Sequence, residues 1–266
     1  MLIIGEKINS TLKATAKAVA ERDETALVDL AQRQVAAGAG MLDVNCGTVE
    51  ADQEPEVMRW MVKLVQGAVN TPLCIDSANP AALAAGLMAH QGKAMVNSIS
   101  GESERYRKVL PLLREHGASV IALGMDDQGI PGDGEKAYAV GAKLVEDLVK
   151  DGLSLEEIYF DPLVRSVATS PSAALETLDL MRRLGASFPG LHFASGLSNV
   201  SYGVPERRHL NRAYVVLSMG AGLDAVIMDP FDQVMVQLIL ASEVLLEKDR
   251  WCLRYIEAFN QGRLSA

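Results

Sequence analysis

The chain has 266 residues, 49% hydrophobic and 22% charged, with a formal net charge of −9 and no basic tract. That balance argues against a nucleic-acid surface and against docking on anionic lipid. No apolar run reaches the ~20 residues of a membrane span, no basic leader precedes an apolar stretch, and three scattered cysteines frame neither disulfides nor a CxxC metal site, so one cytoplasmic domain over 1–266 is expected.

Short β-branched or Leu-rich runs alternate with longer amphipathic ones from end to end. The first strand, 2–5, ends in Gly5-Glu6 with Asn9 just beyond, and a helical run follows at 24–37. The second strand, 41–45, carries Asp43 and Asn45 at alternate positions, which places both on one face. The third, 73–76, ends in Asp76-Ser77, and a helix is expected at 80–90. The fourth, 94–98, holds Asn97 and leads to a helix at 103–116. The fifth, 119–124, precedes a run at 136–150 in which Val140, Leu144, Val145 and Leu148 recur at helical spacing. The sixth, 158–161, ends in Asp161-Pro162 before a helix at 172–184. The seventh, 191–195, runs into Gly196-Leu197-Ser198-Asn199, and the eighth, 225–229, ends in Asp229 before a helix at 233–246. A last helix is expected at 249–260, packed outside. Gly117, Gly152 and Gly185 stand where helices need a left-handed terminator.

Eight strands with intervening helical runs fit a single (β/α)8 TIM barrel. An open doubly wound sheet shares the alternation, but the first loop carries a single glycine and no dinucleotide fingerprint. Barrel enzymes place their chemistry at the C-terminal strand ends, and here those ends form a ring of carboxylates and carboxamides. Asp and Ser also cap helices, and Ser77 and Ser170 need do no more than that. Asn45 and Asn97, however, sit within strands, where no cap is wanted.

Several chemistries lack their residues. No lysine ends an expected strand, which disfavours a Schiff-base aldolase. His90, His116, His192 and His209 show no zinc-binding spacing, and no metal is demanded. His192, at the start of a strand, belongs to the opposite rim. A pocket of Asp and Asn suits a flat, nitrogen-rich heterocycle, since a carboxylate accepts two parallel bonds from a ring N–H and an exocyclic amine.

The segment 196–211, GLSNVSYGVPERRHLN, resembles the signature of the pterin-binding methyltransferases, which move a methyl group between methylated tetrahydrofolate and the cobalt of a corrinoid protein. Gly5-Glu6-Lys7-Ile8-Asn9, Leu42-Asp43-Val44-Asn45, Cys74-Ile75-Asp76-Ser77, Asn97-Ser98-Ile99-Ser100 and Phe160-Asp161-Pro162 resemble that family's strand-end motifs, in order. The resemblance implies a pterin-binding barrel of the dihydropteroate-synthase-like type. It implies that Asp76, Asn97 and Asp161 grip the pterin edge, that Asn199 lies near N5, and that Arg207 lies near the pterin or its tail. Gly196, Ser198 and Tyr202 would shape the loop, with Glu6, Asn9, Asp43 and Asn45 as further pocket residues. Asn199 and Asp161 are the catalytic candidates. The substrate would be tetrahydrofolate or 5-methyltetrahydrofolate, with cobalamin carried by a separate corrinoid protein and the enzyme a homodimer. The direction of transfer stays open. A dihydropteroate-synthase-like condensing enzyme and a non-catalytic folate-binding protein are the alternatives.

Overall fold

The computed structural model describes residues 1–264. Its eight strands are β1 (Leu2–Asn9), β2 (Met41–Asn45), β3 (Leu73–Asp76), β4 (Met95–Gly101), β5 (Ser119–Asp126), β6 (Ile158–Asp161), β7 (His192–Phe193) and β8 (Ala225–Met228). β1 to β7 pair in parallel, each with the next along the chain, and β8 pairs with β1. A parallel bridge between Gly196 and Ile227, with the Ile227 N–H donating to Ser195 O at 3.0 Å, links the two ends. The arrangement is a nearly closed (β/α)8 barrel.

Ten helices are described: α1 (Lys13–Ala20), α2 (Glu24–Ala36), α3 (Glu54–Ala68), α4 (Pro80–Ala89), α5 (Ser103–His116), α6 (Gly134–Lys150), α7 (Ala173–Ser187), α8 (Arg207–Gly220), α9 (Gln233–Leu245) and α10 (Leu253–Asn260). α1, α3 and α8 add to the helical runs read from the sequence, and α8 begins inside the 196–211 segment. Gly117 does terminate α5 in the left-handed conformation, at φ 59°. Gly185 does not terminate a helix: α7 runs through it to Ser187, and the missing side chain leaves room for Phe193, 3.4 Å from where a Cβ would stand.

The two faces of each strand divide the core. Leu42, Val44, Ile75, Val96, Val120, Phe160 and Val226 join the layer of helical Leu27, Met58, Leu83, Val145, Leu184 and Val215. Phe160 needs Gly141 on α6, because a Cβ there would come within 2.8 Å of its ring. The opposite face lines the barrel, where Ile4, Met41, Cys74, Met95, Ile121, Ala194 and Ala225 make a separate apolar cluster. Side chains alternate with period two. The next inward positions beyond Ile4, Met41, Cys74, Met95 and Ala194 are therefore Glu6, Asp43, Asp76, Asn97 and Gly196. One pleat repeat carries the interior from an apolar plug to a polar mouth.

Two strand ends differ from expectation in ways that matter. β1 continues past Gly5, through a register irregularity between Gly5 and Ile8, as far as Asn9. A lysine, Lys7, thus does lie at a strand end, but its Nζ donates to Asp229 Oδ2 at 3.0 Å and ties β1 to the end of β8. β7 shortens to His192–Phe193. His192 sits at the far rim as expected, stacked on Tyr159 at 4.7 Å and bonded through Nδ1 to Asp224 at 2.6 Å.

Candidate active site

The polar mouth begins with a hydrogen-bonded chain across β2, β3 and β4. Asn45 Nδ2 donates to Asp76 Oδ2 at 2.9 Å, while its Oδ1 accepts from the Gly47 N–H at 2.9 Å. Asn97 Nδ2 lies 3.5 Å from Asp43 Oδ1. Asp43, one pleat repeat deeper than Asn45, is only 2% exposed. Burial, then the neighbouring Asp76 charge, pushes its carboxyl well above the ordinary range. Asp76 is also raised by burial, but hydrogen bonds from Asn45 and Asp43 pull it back. Asp43 is thus the better holder of a proton in the pair, the side that would donate to Asp76.

Asp161 closes β6. Its Oδ1 accepts the Leu163 N–H at 2.8 Å and its Oδ2 lies 3.4 Å from the Gly196 N–H. The residue is 7% exposed, and burial outweighs these two bonds, raising the carboxyl to about 6. Each oxygen keeps an acceptor site for a ligand N–H.

Gly196 passes the chain from Asp161 into a 3-10 turn, Leu197–Ser201. That turn is held from outside. Arg207 donates through one terminal nitrogen to Ser198 O at 2.5 Å and through Nε to Ser201 Oγ at 3.0 Å. Ser201 Oγ in turn donates to Asn211 Oδ1 at 2.7 Å, and the Val167 N–H caps Val200 O at 2.9 Å. Ser198, Ser201, Arg207 and Asn211 thereby form one brace. Its product is Asn199, exposed and with no partner for its carboxamide among the described residues. The Asn199 amide nitrogen lies 3.5 Å from where a Cβ on Gly196 would be, so the glycine leaves room beside it. Tyr202 is 71% exposed, beneath the Arg207 guanidinium at 5.8 Å.

The structure thus brings Asp43, Asn45, Asp76 and Asn97 into one network and joins Asp161 to Gly196 and the Asn199 turn. Glu6 and Ser198 line a neighbouring cavity, and burial, with the Asp229 charge, raises the Glu6 carboxyl. Asn9 is spent locally: its Oδ1 accepts from the Thr11 N–H and hydroxyl. Ser77 does more than begin a helix, since its hydroxyl donates to the buried Glu54 carboxylate at 2.5 Å, and Asn79 is the cap of α4.

Arg105 was not legible from the sequence. It lies on α5, and its guanidinium donates to Ser98 O, Ala78 O and Ser77 O, binding the loop after β3 to β4. An arginine that serves only backbone carbonyls leaves no motif. Among the described residues no group of three or more His, Cys, Asp or Glu side chains is arranged to hold a metal ion. No described helix is long and apolar enough to cross a membrane.

The sequence profile of the family described as pterin binding enzyme matches residues 5–229. A methylcorrinoid:tetrahydrofolate methyltransferase of Eubacterium limosum is 37% identical over 266 residues, covering 99% of this chain and 98% of that protein. The methionine synthase of Mycobacterium tuberculosis is 29% identical over 240 residues, which are 85% of this chain but 20% of that protein. Among solved structures, dihydropteroate synthase from Clostridium difficile superimposes with a TM-score of 0.72 at 18% identity, covering 92% of this chain and 96% of that one. Dihydropteroate synthase from Xanthomonas albilineans, in complex with 7,8-dihydropteroate, gives 0.70 at 17% identity, with 92% coverage of both. At such identities the solved structures speak to the fold alone.

Proposed function

The chain belongs to the pterin-binding enzyme family, and from that premise we propose that it is a methyltransferase acting between tetrahydrofolate and the cobalt of a corrinoid protein. The observation that carries the reading is the combination of an edge-recognition set, Asp76, Asn97 and Asp161, with an unpartnered carboxamide, Asn199, held beside it. The whole-length likeness to the Eubacterium limosum methyltransferase supports it.

In this reading the aminopyrimidinone edge of the pterin lies against β3, β4 and β6. Asp161 and Asp76 accept its N–H groups, and those bonds favour the ionised carboxylates. Asp43 holds its own proton behind them, so Asp76 meets the ring as an acceptor. The opposite edge, with N5, then faces the Asn199 turn. The direction we assign is the one in the Eubacterium limosum relative's name, with methylcorrinoid as donor. The N5 lone pair forms the new bond to carbon as the carbon–cobalt bond breaks, its electron pair stays on cobalt, and the N5 proton passes to water at the open mouth. The Asn199 carboxamide accepts from N5–H as positive charge builds; in the reverse direction its N–H donates to the departing N5. Both act on charge that develops in the transition state. What remains is in-line positioning, which requires a mouth open enough for a partner to present cobalt.

The same proposal includes a homodimer and a cytoplasmic setting. Exposed apolar side chains concentrate towards the end of the chain, with Leu245 and Trp251 each 82% exposed and Phe259 67%, and these are the side chains a second copy would cover. Three unpaired cysteines fit a reducing compartment.

The test is anaerobic titration with tetrahydrofolate, followed by addition of methylcobalamin or its corrinoid protein and observation of the cobalt absorbance. Folate binding with conversion to cob(I)alamin is expected. No folate binding would sink the assignment, and binding without turnover with any corrinoid would leave a folate carrier.

A further inference from the structure

A cavity of about 450 Å³ opens beside the Leu197–Ser201 turn, between it, α8 and the start of α9. One wall is apolar, from Leu197, Met228 and Phe231, and Arg208 stands at the edge. We infer that this cavity receives the anionic tail of a folate, the aromatic amide lying on the apolar wall and the tail carboxylates meeting Arg208. The inference rests on the pterin reading above and extends it from the ring to the substituent.

Placement comes first. With the aminopyrimidinone edge on β3, β4 and β6, the other edge of the ring system faces β7, β8 and β1. The substituent of a folate leaves from the carbon next to N5, on that side. The cavity is lined by Ser198 from the turn that carries Asn199, so a tail leaving the ring there enters it directly.

Charge decides what the cavity accepts. Its acidic neighbours are Glu6, Asp229 and Asp232. Asp229 is paired with Lys7 at 3.0 Å and Asp232 with Arg212 at 2.7 Å. Glu6 is half-buried, with its carboxyl held above the ordinary range. Arg207 is committed to the brace. Arg208, the next residue, has no acidic or carbonyl partner among the described residues. A cation left unpaired beside a cavity, on a chain of net charge −9, is available to a ligand anion.

The experiment compares tetrahydrofolate with tetrahydropteroate, which has the same ring and p-aminobenzoyl stem but ends in one benzoate carboxylate in place of the glutamyl amide and its two carboxylates, by anaerobic calorimetry on wild type, Arg208→Ala and Arg208→Glu. Wild type is expected to prefer tetrahydrofolate by about fivefold, the worth of one exposed ion pair. Arg208→Ala should abolish the preference, Arg208→Glu should invert it, and 250 mM salt should shrink the preference in wild type and its inverse in Arg208→Glu while leaving Arg208→Ala unchanged. Equal preference in wild type and Arg208→Glu overturns the inference while the pterin reading stands. Loss of tetrahydropteroate binding in both variants also overturns it, because Arg208 would then serve the ring or the loop. If wild type binds neither compound, the pterin reading fails and the inference falls with it.

Discussion

Asp161 offers a test of the site's electrostatics that needs no ligand. Its carboxyl is raised from an ordinary 3.8 to about 6, with burial as the largest cause. A carboxyl raised on folding leaves stability intact below pH 3.8, where both states are protonated. As pH climbs towards 6 the unfolded chain ionises before the folded one, and stability is lost, reaching a plateau above it. At about 1.4 kcal/mol per tenfold, the gap between 3.8 and about 6 is worth about 3 kcal/mol at the plateau. Between pH 4.5 and 7.5 the change is about 2 kcal/mol. Asp161→Asn removes this titration and nothing else that varies with pH. Its amide cannot accept both the Leu163 and Gly196 N–H groups, which costs about 1–2 kcal/mol at every pH. Urea melts of the two proteins, read as the difference between them, should therefore move by about 2 kcal/mol in favour of the variant from pH 4.5 to 7.5. Other titrating groups cancel in that difference. Parallel stability curves would show that Asp161 ionises at its ordinary pKa in the folded protein, and that burial does not raise its carboxyl.

Further outcomes follow from the same geometry. Asn199→Ala should lower methyl transfer by about 10²-fold with tetrahydrofolate affinity retained; activity within about twofold of wild type would remove Asn199 from the reaction. Asp76→Ala should weaken tetrahydrofolate binding by more than about tenfold in calorimetry, since a charged acceptor on the ring and the anchor of Asn45 are lost together. Ser77→Ala should destabilise the protein by about 1–3 kcal/mol in urea melts, because the buried Glu54 carboxylate loses its donor. Trp251→Glu with Phe259→Glu should convert the proposed homodimer to monomer in sedimentation velocity, without loss of helical circular dichroism; a wild type that sediments as a monomer would refute the homodimer itself.

The fold was legible because its signal is periodic. The eight strand runs and their polar endings can be read off the chain, and the structure puts strands at all eight places. What could not be read is where pairing stops. β1 overruns its glycine as far as Asn9 because β2 offers Val44 and Asn45 as partners beyond the irregularity, and β7 ends at Phe193 for want of a continuous ladder to β8. Helix α8 was hidden inside a motif whose first half is a turn. Gly185 misled because a glycine wanted for close packing and one wanted for a left-handed terminator look alike in sequence.

The site divides along a similar line. Residue types at strand ends are visible in the sequence, but their charge states are not, because these depend on depth in the barrel. Asp43 and Asn45 lie one pleat repeat apart on the same face. The deeper position is buried beside Asp76, and both burial and that charge push a carboxyl there above its ordinary range. The shallower one reaches Asp76 with an amide that neither gains nor loses charge. Had the two been exchanged, the amide would be buried and the carboxylate would face Asp76 at the mouth, where two like charges would compete for one proton. The order Asp then Asn along β2 thus makes Asp76 the acceptor, and the strand's two-residue repeat sets the electrostatics of the polar mouth.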